Sequence, residues 1–316
     1  MLKIVYVGAR EGCEAAQSVL ASIADVIHLD PPTSSGLWEA LSDADALLDA
    51  SMKVRVTNEM VAAASRLRVV SCATTGSDHI ERNTLTDRDI PVFTLKEDPE
   101  LLQNLTPAAE LTWALLLACA RRLPTAAEHV REGGWVREDF PGIMLNGKTL
   151  GLIGCGRIGG WLARYGLAFG MTVIAYDPYI DSLPEGVTSR DLKDLVQESD
   201  FVSMHVHLND ETNGLLSREL LGKIKHGAVV INTSRGALVD EAALLEALES
   251  GRVSAAGLDV LNGEPQIQKH PLVEYAQRGD NLIITPHCGG FSPDAVKKVS
   301  RRAAEKILYT LSGERK

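Results

Sequence analysis

The sequence predicts an α/β fold with two domains, each built on its own parallel sheet. Short apolar runs typical of buried strands alternate with helical patterns along the chain. The length of 316 residues exceeds the usual size of a single domain. A glycine-rich turn also stands between an apolar run and a helical pattern in the middle of the chain. We therefore expect a central Rossmann-like nucleotide-binding domain and a second, smaller α/β domain.

The glycine-rich turn lies in the segment from Lys148 to Tyr179, KTLGLIGCGRIGGWLARYGLAFGMTVIAYDPY. An apolar run, G-x-G-x-x-G, a helical pattern, a second apolar run and a carboxylate follow one another, as in dinucleotide-binding βαβ units. The glycines allow a tight turn and close approach of a pyrophosphate, and the helix N-terminus offers free N–H groups. A merely structural glycine turn is the alternative, which the surrounding strands, helix and carboxylate disfavour. The cofactor-binding residues predicted here are Gly154, Gly156, Arg157, Ile158, Gly159 and Asp177.

The carboxylate of Asp177 indicates which dinucleotide binds. It can accept hydrogen bonds from the ribose hydroxyls, and its charge would repel a 2′-phosphate. Residues 178–180 contain no arginine or lysine to receive such a phosphate. The sequence therefore predicts NAD rather than NADP.

Composition excludes several classes of partner. The net charge of -10 argues against nucleic acid or an anionic membrane as the main partner. The five cysteines are scattered without a C-x-x-C pair, which is typical of reduced thiols in a cytosol and not of a metal site. The first apolar run is too short for a signal peptide, and no apolar stretch reaches the ~18 residues of a membrane helix. We expect a cytoplasmic protein without a bound metal.

The chain before the glycine turn predicts the smaller domain. Its predicted strands are 2–7, 26–29, 46–48 and 67–71, its helices 13–23 and 58–64, and its loop 30–35. The turn CATTGSDHIE follows the last of these strands, where ligands bind in open parallel sheets. A small carboxylate could bind the N–H groups of Thr75 and Gly76. The alternative is an ordinary loop in which Asp78 caps a helix.

The remaining elements lie on either side of the glycine turn. The sequence predicts a hinge at residues 96–107, a buried helix at 108–123 and irregular chain at 131–146. After Asp177 we predict helices at 191–196 and 241–250 and strands at 201–208, 228–232, 255–260 and 282–285. Each of these strands ends in polar residues, so chemistry is expected at this edge of the sheet.

Three of the polar residues form a set suited to hydride-transfer chemistry. His287 could give a proton to a carbonyl oxygen or take one from a hydroxyl, because imidazole titrates near neutrality. The carboxylate of Glu264 would orient the ring and favour its protonated form. Arg235 could grip the carboxylate of a 2-keto acid in bidentate fashion.

The chain resembles the D-isomer-specific 2-hydroxyacid dehydrogenases over essentially its full length. The motifs that carry the resemblance are TTGSDHIE, LLLACARRLP, GKTLGLIGCGRIGG with YDP, NTSRGALVDEAAL, AGLDV, NGEP and ITPHCGG. The resemblance implies an NAD-dependent dehydrogenase of D-2-hydroxy acids and 2-keto acids, with Arg235 binding substrate and Glu264 and His287 as the acid/base pair. The further residues that it implies are Thr75 and Gly76 at the substrate carboxylate and His205, Thr233 and Asp259 at the cofactor.

The resemblance also implies an architecture. The helix at about 294–312 should return to the first domain, so that the nucleotide-binding domain (101–289) is inserted into a flavodoxin-like substrate domain (1–100 plus 290–316). The helix at 108–123 and the arm after it usually build a homodimer in this family.

Departures from the family pattern bear on the substrate. Cys72 stands where phosphoglycerate dehydrogenases often carry an arginine, and Thr75 where phosphonate dehydrogenases carry a lysine. His207 replaces the proline of the usual H-x-P at the adenine pocket. We therefore expect an activity like that of glyoxylate and hydroxypyruvate reductases. Phosphoglycerate dehydrogenase-type activity, an NADH-sensing scaffold resembling the C-terminal binding proteins, and a catalytically idle paralogue remain alternatives.

Overall fold

The computed structural model describes residues 1–279 and 281–313. The chain divides into two compact units, Met1–Leu105 with Gly290–Lys316 and Thr106–Gly289. Each unit holds one parallel sheet, which confirms the predicted fold class. Residues 314–316 of the predicted first domain lie outside the described residues.

Residues 1–105 form a five-stranded sheet with helices. Its strands are β1 (Leu2–Val7), β2 (Ala24–Leu29), β3 (Ala46–Asp49), β4 (Val69–Cys72) and β5 (Val92–Phe93), in the order β2-β1-β3-β4-β5. The helices are α1 (Arg10–Leu20), α2 (Ser34–Leu41), α3 (Asn58–Ala63), α4 (Asn83–Asp87) and α5 (Pro99–Gln103), with a 3₁₀ turn at Leu95–Glu97. This strand order has a switch point between β1 and β3, as in flavodoxin-like sheets.

Residues 106–289 form a seven-stranded sheet. Its strands are β6 (Thr149–Ile153), β7 (Thr172–Tyr176), β8 (Val187–Ser189), β9 (Phe201–Met204), β10 (Ala228–Asn232), β11 (Val253–Leu258) and β12 (Leu282–Ile284), in the order β12-β11-β10-β9-β6-β7-β8. The helices are α6 (Pro107–Ala120), α7 (Leu123–Arg131), α8 (Arg157–Ala168), α9 (Leu192–Glu198), α10 (Arg218–Lys223), α11 (Glu241–Glu249) and α12 (Pro271–Ala276). Two 3₁₀ turns lie at Arg137–Asp139 and Gly236–Leu238.

The last helix, α13 (Pro293–Ser312), belongs to the first unit. It packs with α1 on one face of the sheet, where Ile4 and Tyr6 meet Ala303 and Ile307. The alternate β1 residues Val5 and Val7 contact α2 and α3 on the opposite face. Both faces of this sheet are therefore buried, which explains the continuous apolar runs of its strands.

Several parts of the structure differ from the sequence expectations, among them α2, the expected hinge and the end of β9. Helix α2 was not predicted; Thr33 caps it by accepting a hydrogen bond from the N–H of Gly36 at 3.1 Å. The expected hinge at 96–107 holds α5, and Asp98 connects this segment to α13 within the first unit, which includes residues up to Leu105. Strand β9 ends at Met204, so His205 and His207 follow the strand.

The described part of the chain shows neither a membrane span nor a metal cluster. No helix there has the length and apolar character that crossing a membrane requires. No group of three or more His, Cys, Asp or Glu side chains is placed there to hold a metal ion.

Candidate functional site

Six strands of the seven-stranded sheet end at one row across the sheet. The register aligns their last residues in the order Tyr176, Ile153, Met204, Asn232, Leu258 and Ile284. Because the strands are parallel, the residues that follow this row all emerge at the same edge. The first residues beyond the row are Asp177, Gly154, His205, Thr233, Asp259 and Thr285. All but the last of these were predicted as cofactor-binding residues.

The glycine turn between β6 and α8 has the form that a pyrophosphate requires. Gly154 has φ +91°, and a Cβ there would lie 2.8 Å from the carbonyl of His205. A Cβ on Gly159 would lie 2.2 Å from the carbonyl oxygen of Gly154. A Cβ on Gly156, by contrast, would meet no described atom within 4 Å. The backbone at Gly156 is therefore open, and α8 begins at the next residue. This arrangement suits a phosphate group bound at a helix N-terminus.

Two residues of the motif have different surroundings. Arg157 is the first residue of α8, and burial lowers the pKa of its guanidinium. Ile158 packs against the apolar cluster formed by α6, α8 and the sheet. Arg157 thus brings a positive charge to the start of the helix, whereas Ile158 anchors the helix to the core.

The Asp177 carboxylate is held against the glycine turn. Its Oδ2 accepts the N–H of Cys155 at 2.8 Å and its Oδ1 accepts the N–H of Tyr179 at 3.1 Å. Burial, and then the charge of Asp177, raise the pKa of the Cys155 thiol to about 11. These contacts fix the orientation of the carboxylate, and each oxygen keeps a lone pair for a ribose hydroxyl.

The two histidines after β9 are placed differently. His205 packs beside the glycine turn, its Nε2 lies 2.8 Å from Ser203 Oγ, and its buried Nδ1 has no partner among the described residues. Burial lowers the pKa of His205 to about 3, so its ring is neutral. His207 is exposed. His205 therefore supports the turn, whereas His207 lies at the surface.

The turn after β10 is organised by Asn232, which the sequence analysis did not single out. This residue is buried, its Nδ2 donates to the Arg235 carbonyl at 2.8 Å and its Oδ1 accepts the N–H of Ser234 at 3.0 Å. Thr233 Oγ1 lies 2.7 Å from Thr112 Oγ1 of α6, and Nη1 of Arg235 donates to the Ser234 carbonyl. The asparagine directly before TSRG was the available signal, because Asn side chains stabilise such turns.

The glycine after Arg235 brings two loops together. A Cβ on Gly236 would lie 2.1 Å from the backbone of both Leu261 and Asn262. These residues precede Glu264 in the NGEP motif. Only glycine permits this approach, so the loop of Arg235 packs directly on the loop of Glu264.

Two of the predicted catalytic residues, Glu264 and His287, are in direct contact. Glu264 Oε1 lies 2.5 Å from His287 Nδ1, and its Oε2 accepts the N–H of Leu261 at 3.2 Å. His287 Nε2 makes no hydrogen bond within residues 1–279 and 281–313. About a third of each side chain is exposed, at 36% for His287 and 31% for Glu264. One ring nitrogen is thus oriented by a carboxylate while the other can exchange a proton with a ligand.

Asp259 anchors the loop that carries His287. This buried carboxylate accepts hydrogen bonds from Thr285 Oγ1 at 2.5 Å, the N–H of Cys288 at 2.9 Å and the N–H of Gly289 at 2.7 Å. Its backbone carbonyl accepts the N–H of His287 at 2.8 Å. His287 has φ +52°, and this backbone conformation is held by the contacts around it. The sequence gives no sign of these contacts, because the partners lie almost 30 residues apart.

The predicted carboxylate-binding residues belong to the first unit. Thr75 and Gly76 follow β4 and are half-buried. Neither N–H donates a hydrogen bond within the described part of the chain, whereas the Gly76 carbonyl accepts from Thr74 Oγ1 at 2.6 Å. Asp78 does not cap the next helix, whose N-cap is Arg82. The two N–H groups are suited to an anion.

Residues 113–289 match the family described as D-isomer specific 2-hydroxyacid dehydrogenase, NAD binding domain. The chain belongs to the D-isomer-specific 2-hydroxyacid dehydrogenase family. It therefore carries this family's NAD-binding domain, and the cofactor expected from the glycine turn is confirmed.

Named relatives and solved structures agree with this membership. Hydroxypyruvate reductase of Thermotoga maritima is 37% identical over 277 residues, which cover 87% of each protein. D-3-phosphoglycerate dehydrogenase of Mycobacterium tuberculosis is 38% identical over 305 residues, 95% of this chain but 56% of that protein. This chain thus spans about half the length of that relative. The TT0316 protein of Thermus thermophilus superposes with a TM-score of 0.87 at 35% identity, covering 99% of this chain and 97% of the other.

Proposed function

We propose that this dehydrogenase-family protein transfers a hydride between NAD and a D-2-hydroxy acid or the corresponding 2-keto acid, as glyoxylate and hydroxypyruvate reductases do. The observation that carries the proposal is the Glu264–His287 pair at 2.5 Å. It lies at the same edge of the sheet as the glycine turn and Asp177. An acid/base pair beside a nicotinamide site is the machinery that a carbonyl reduction requires.

Each residue has a definite task in reduction. NADH, when bound, supplies the hydride. His287 gives the proton on Nε2 to the carbonyl oxygen, and Glu264, at Nδ1, stabilises the protonated ring before transfer. Arg235 holds the carboxylate of the keto acid. The N–H groups of Thr75 and Gly76, in the first unit, are donors suited to a carboxylate. In the oxidation direction the neutral His287 accepts the hydroxyl proton instead.

Phosphoglycerate dehydrogenase-type activity is the second candidate. The 38% identity to the Mycobacterium tuberculosis enzyme favours it. Cys72 stands at the position where an arginine would bind a phosphate, and it is buried at 1% exposure, which disfavours this activity. We place it second for this reason.

Turnover across a panel of keto acids tests both candidates. NADH oxidation would be followed with glyoxylate, hydroxypyruvate, pyruvate, bulkier 2-keto acids and phosphohydroxypyruvate. We expect the highest kcat/KM with glyoxylate or hydroxypyruvate. A preference for phosphohydroxypyruvate would select the second candidate. NADH binding without turnover of any member would contradict both and favour an NADH-sensing scaffold or an idle paralogue.

Arg235→Ala is the first variant to measure. We expect kcat/KM for the preferred keto acid to fall by on the order of 10²-fold or more, because positioning and charge stabilisation are lost. The Kd for NADH should change little, since the guanidinium serves the substrate. Arg218→Ala, which removes an exposed ion pair with Glu246 in the same unit, is the matched control and should leave kcat/KM unchanged. Near-normal turnover of Arg235→Ala would remove Arg235 from the site.

We also propose that the protein is a cytoplasmic homodimer. Large apolar side chains are exposed from the start of α7 to the chain before β6, including Leu123 at 58%, Trp135 at 87% and Met144 at 72%. Such a patch is typical of a surface that another protein covers. The five cysteines are unpaired, which supports a reducing compartment.

A further inference from the structure

The loops at the carboxyl ends of β3 and β4 share one buried carboxylate, Asp49. It is the last residue of β3 and is 1% exposed. Its Oδ1 accepts the N–H of Ser51 at 2.7 Å and the N–H of Met52 at 3.1 Å. Its Oδ2 lies 2.9 Å from Nε2 of His79. One side chain thus joins the loop after β3 to the loop after β4.

The His79 ring is largely buried, and only its Nε2 has a hydrogen-bond partner among the described residues. Its side chain is 9% exposed, and its buried Nδ1 has no partner among the residues that the structure describes. Because a carboxylate oxygen accepts, the Nε2–H of His79 is the donor to Asp49.

Backbone hydrogen bonds of Asp49 and His79 also connect their loops to neighbouring residues. The Asp49 carbonyl accepts the N–H of Ala73 at 2.8 Å, and the His79 carbonyl accepts the N–H of Val56 at 2.9 Å. Met52 has φ +57°, a conformation that the Asp49 carboxylate stabilises through the Met52 N–H. The chain from Ala73 to His79, which includes Thr75 and Gly76, is fastened to Asp49 at both ends.

We propose that Asp49 and His79 are positioning residues that set the N–H groups of Thr75 and Gly76 for the substrate carboxylate. The inference rests on the proposed function and adds two residues that do not themselves touch substrate. Removing either partner leaves the other buried group without its hydrogen bond, and the loop shifts. A shift of this kind weakens keto-acid binding more than the chemical step, because His287 and Glu264 lie in the other unit.

The variants are Asp49→Ala and His79→Phe, with Asp45→Ala as the matched control. Asp45 is a second buried aspartate, directly before β3 at the amino end of the same strand, where it accepts hydrogen bonds from Arg66 and from the N–H of Lys3. All three variants should lower Tm. Only Asp49→Ala and His79→Phe should raise KM for the keto acid, by about 10-fold or more, with kcat less affected and the Kd for NADH unchanged. The double variant should cost no more than the larger single effect, because the two residues act as one unit.

A more conservative variant keeps the test valid if Asp49→Ala does not fold. Asp49→Asn keeps the volume and one acceptor for the N–H groups of Ser51 and Met52, so we expect a KM between those of the wild type and Asp49→Ala. A KM for Asp49→Asn and His79→Phe equal to that of the wild type would overturn the inference while leaving the proposed function intact. Equal KM increases in Asp45→Ala and Asp49→Ala would also overturn it, since general destabilisation would then explain both. A wild-type protein that reduces no 2-keto acid would overturn the proposed function and this inference together.

Discussion

At the scale of single residues, the short contact between Glu264 and His287 has a consequence for pH. Reduction requires the protonated imidazole, so kcat/KM for a keto acid should fall on the alkaline side of the profile. In Glu264→Gln the neutral amide stabilises the imidazolium less than the carboxylate does, and this fall should move to lower pH. The profile of oxidation should move in the same direction, with activity rising at a lower pH.

The chain offers a matched control for this experiment. Glu241 pairs with His270 at 3.0 Å outside the predicted catalytic set. Glu241→Gln should leave the pH profile where it is. A profile that is flat between about pH 5 and 9, or that Glu264→Gln does not move, would discard the acid/base assignment.

Asp177 carries the second prediction at this scale. Asp177→Ser combined with Pro178→Arg should narrow or invert a preference for NADH over NADPH, which we expect to be on the order of 10²-fold in the unmodified protein. The NADH affinity should fall too, because the Cys155 N–H loses its acceptor. Steady-state kinetics with both cofactors measure this change, and the exposed Asp181→Ser is the control. Equal use of NADPH and NADH by the wild type would show that Asp177 does not select the cofactor.

At the scale of elements, α13 is tied to the segment before α5 by buried charges. Asp98 binds Arg302 and Lys306 at 2.5 Å each, and Lys306 is 9% exposed. Burial on its own would raise the pKa of Asp98, but the hydrogen bonds from Lys306 and Arg302 outweigh it and lower that pKa below its usual range. The ionised carboxylate is therefore part of the folded state.

The ionised Asp98 carboxylate predicts how the free energy of unfolding depends on pH. Because the folded pKa of Asp98 lies below the unfolded value of about 3.9, its contribution is complete above that pH and is lost as the pH falls through the folded pKa. Asp98→Asn should lower the free energy of unfolding by roughly 3 kcal/mol at neutral pH, since Lys306 loses a buried partner. Urea unfolding should show this difference shrinking below about pH 3.9. Glu246→Gln, at an exposed pair, should have little effect at any pH. A difference independent of pH would rule out the ion pair as its source.

At the scale of the whole molecule, the exposed apolar side chains around α7 predict the oligomeric state. Light scattering should give twice the mass of the chain for the wild type, and Trp135→Ser should shift the protein toward the monomer because the most exposed large side chain of the patch becomes polar. Trp38→Ser, at a tryptophan in α2 with 44% exposure, should leave the dimer intact. A monomeric wild type, or a dimer that Trp135→Ser does not weaken, would contradict this proposal.

The parts of this protein that could be predicted from the sequence are those whose signals are local in the chain. The strand, the three glycines, the helix and Asp177 stand within 32 consecutive residues, from Lys148 to Tyr179, so their spacing alone predicted the NAD-binding unit. Buried strands were also readable, because a parallel sheet covered on both faces demands continuous apolar runs. Helix α2 was missed because it is short and its cap, Thr33, stands in a loop-like stretch of prolines and serines.

The contacts that hold the loops of the site in place could not be predicted from the sequence. Gly236 meets Asn262, Asp259 fastens the loop of His287, and Asp49 reaches His79. Each of these contacts joins residues about 26 to 30 positions apart, which come together because parallel strands end at one edge of a sheet. A sequence motif can therefore identify the residues expected to do the chemistry. The residues that orient them are spatial neighbours, and which residues become neighbours depends on strand order and register.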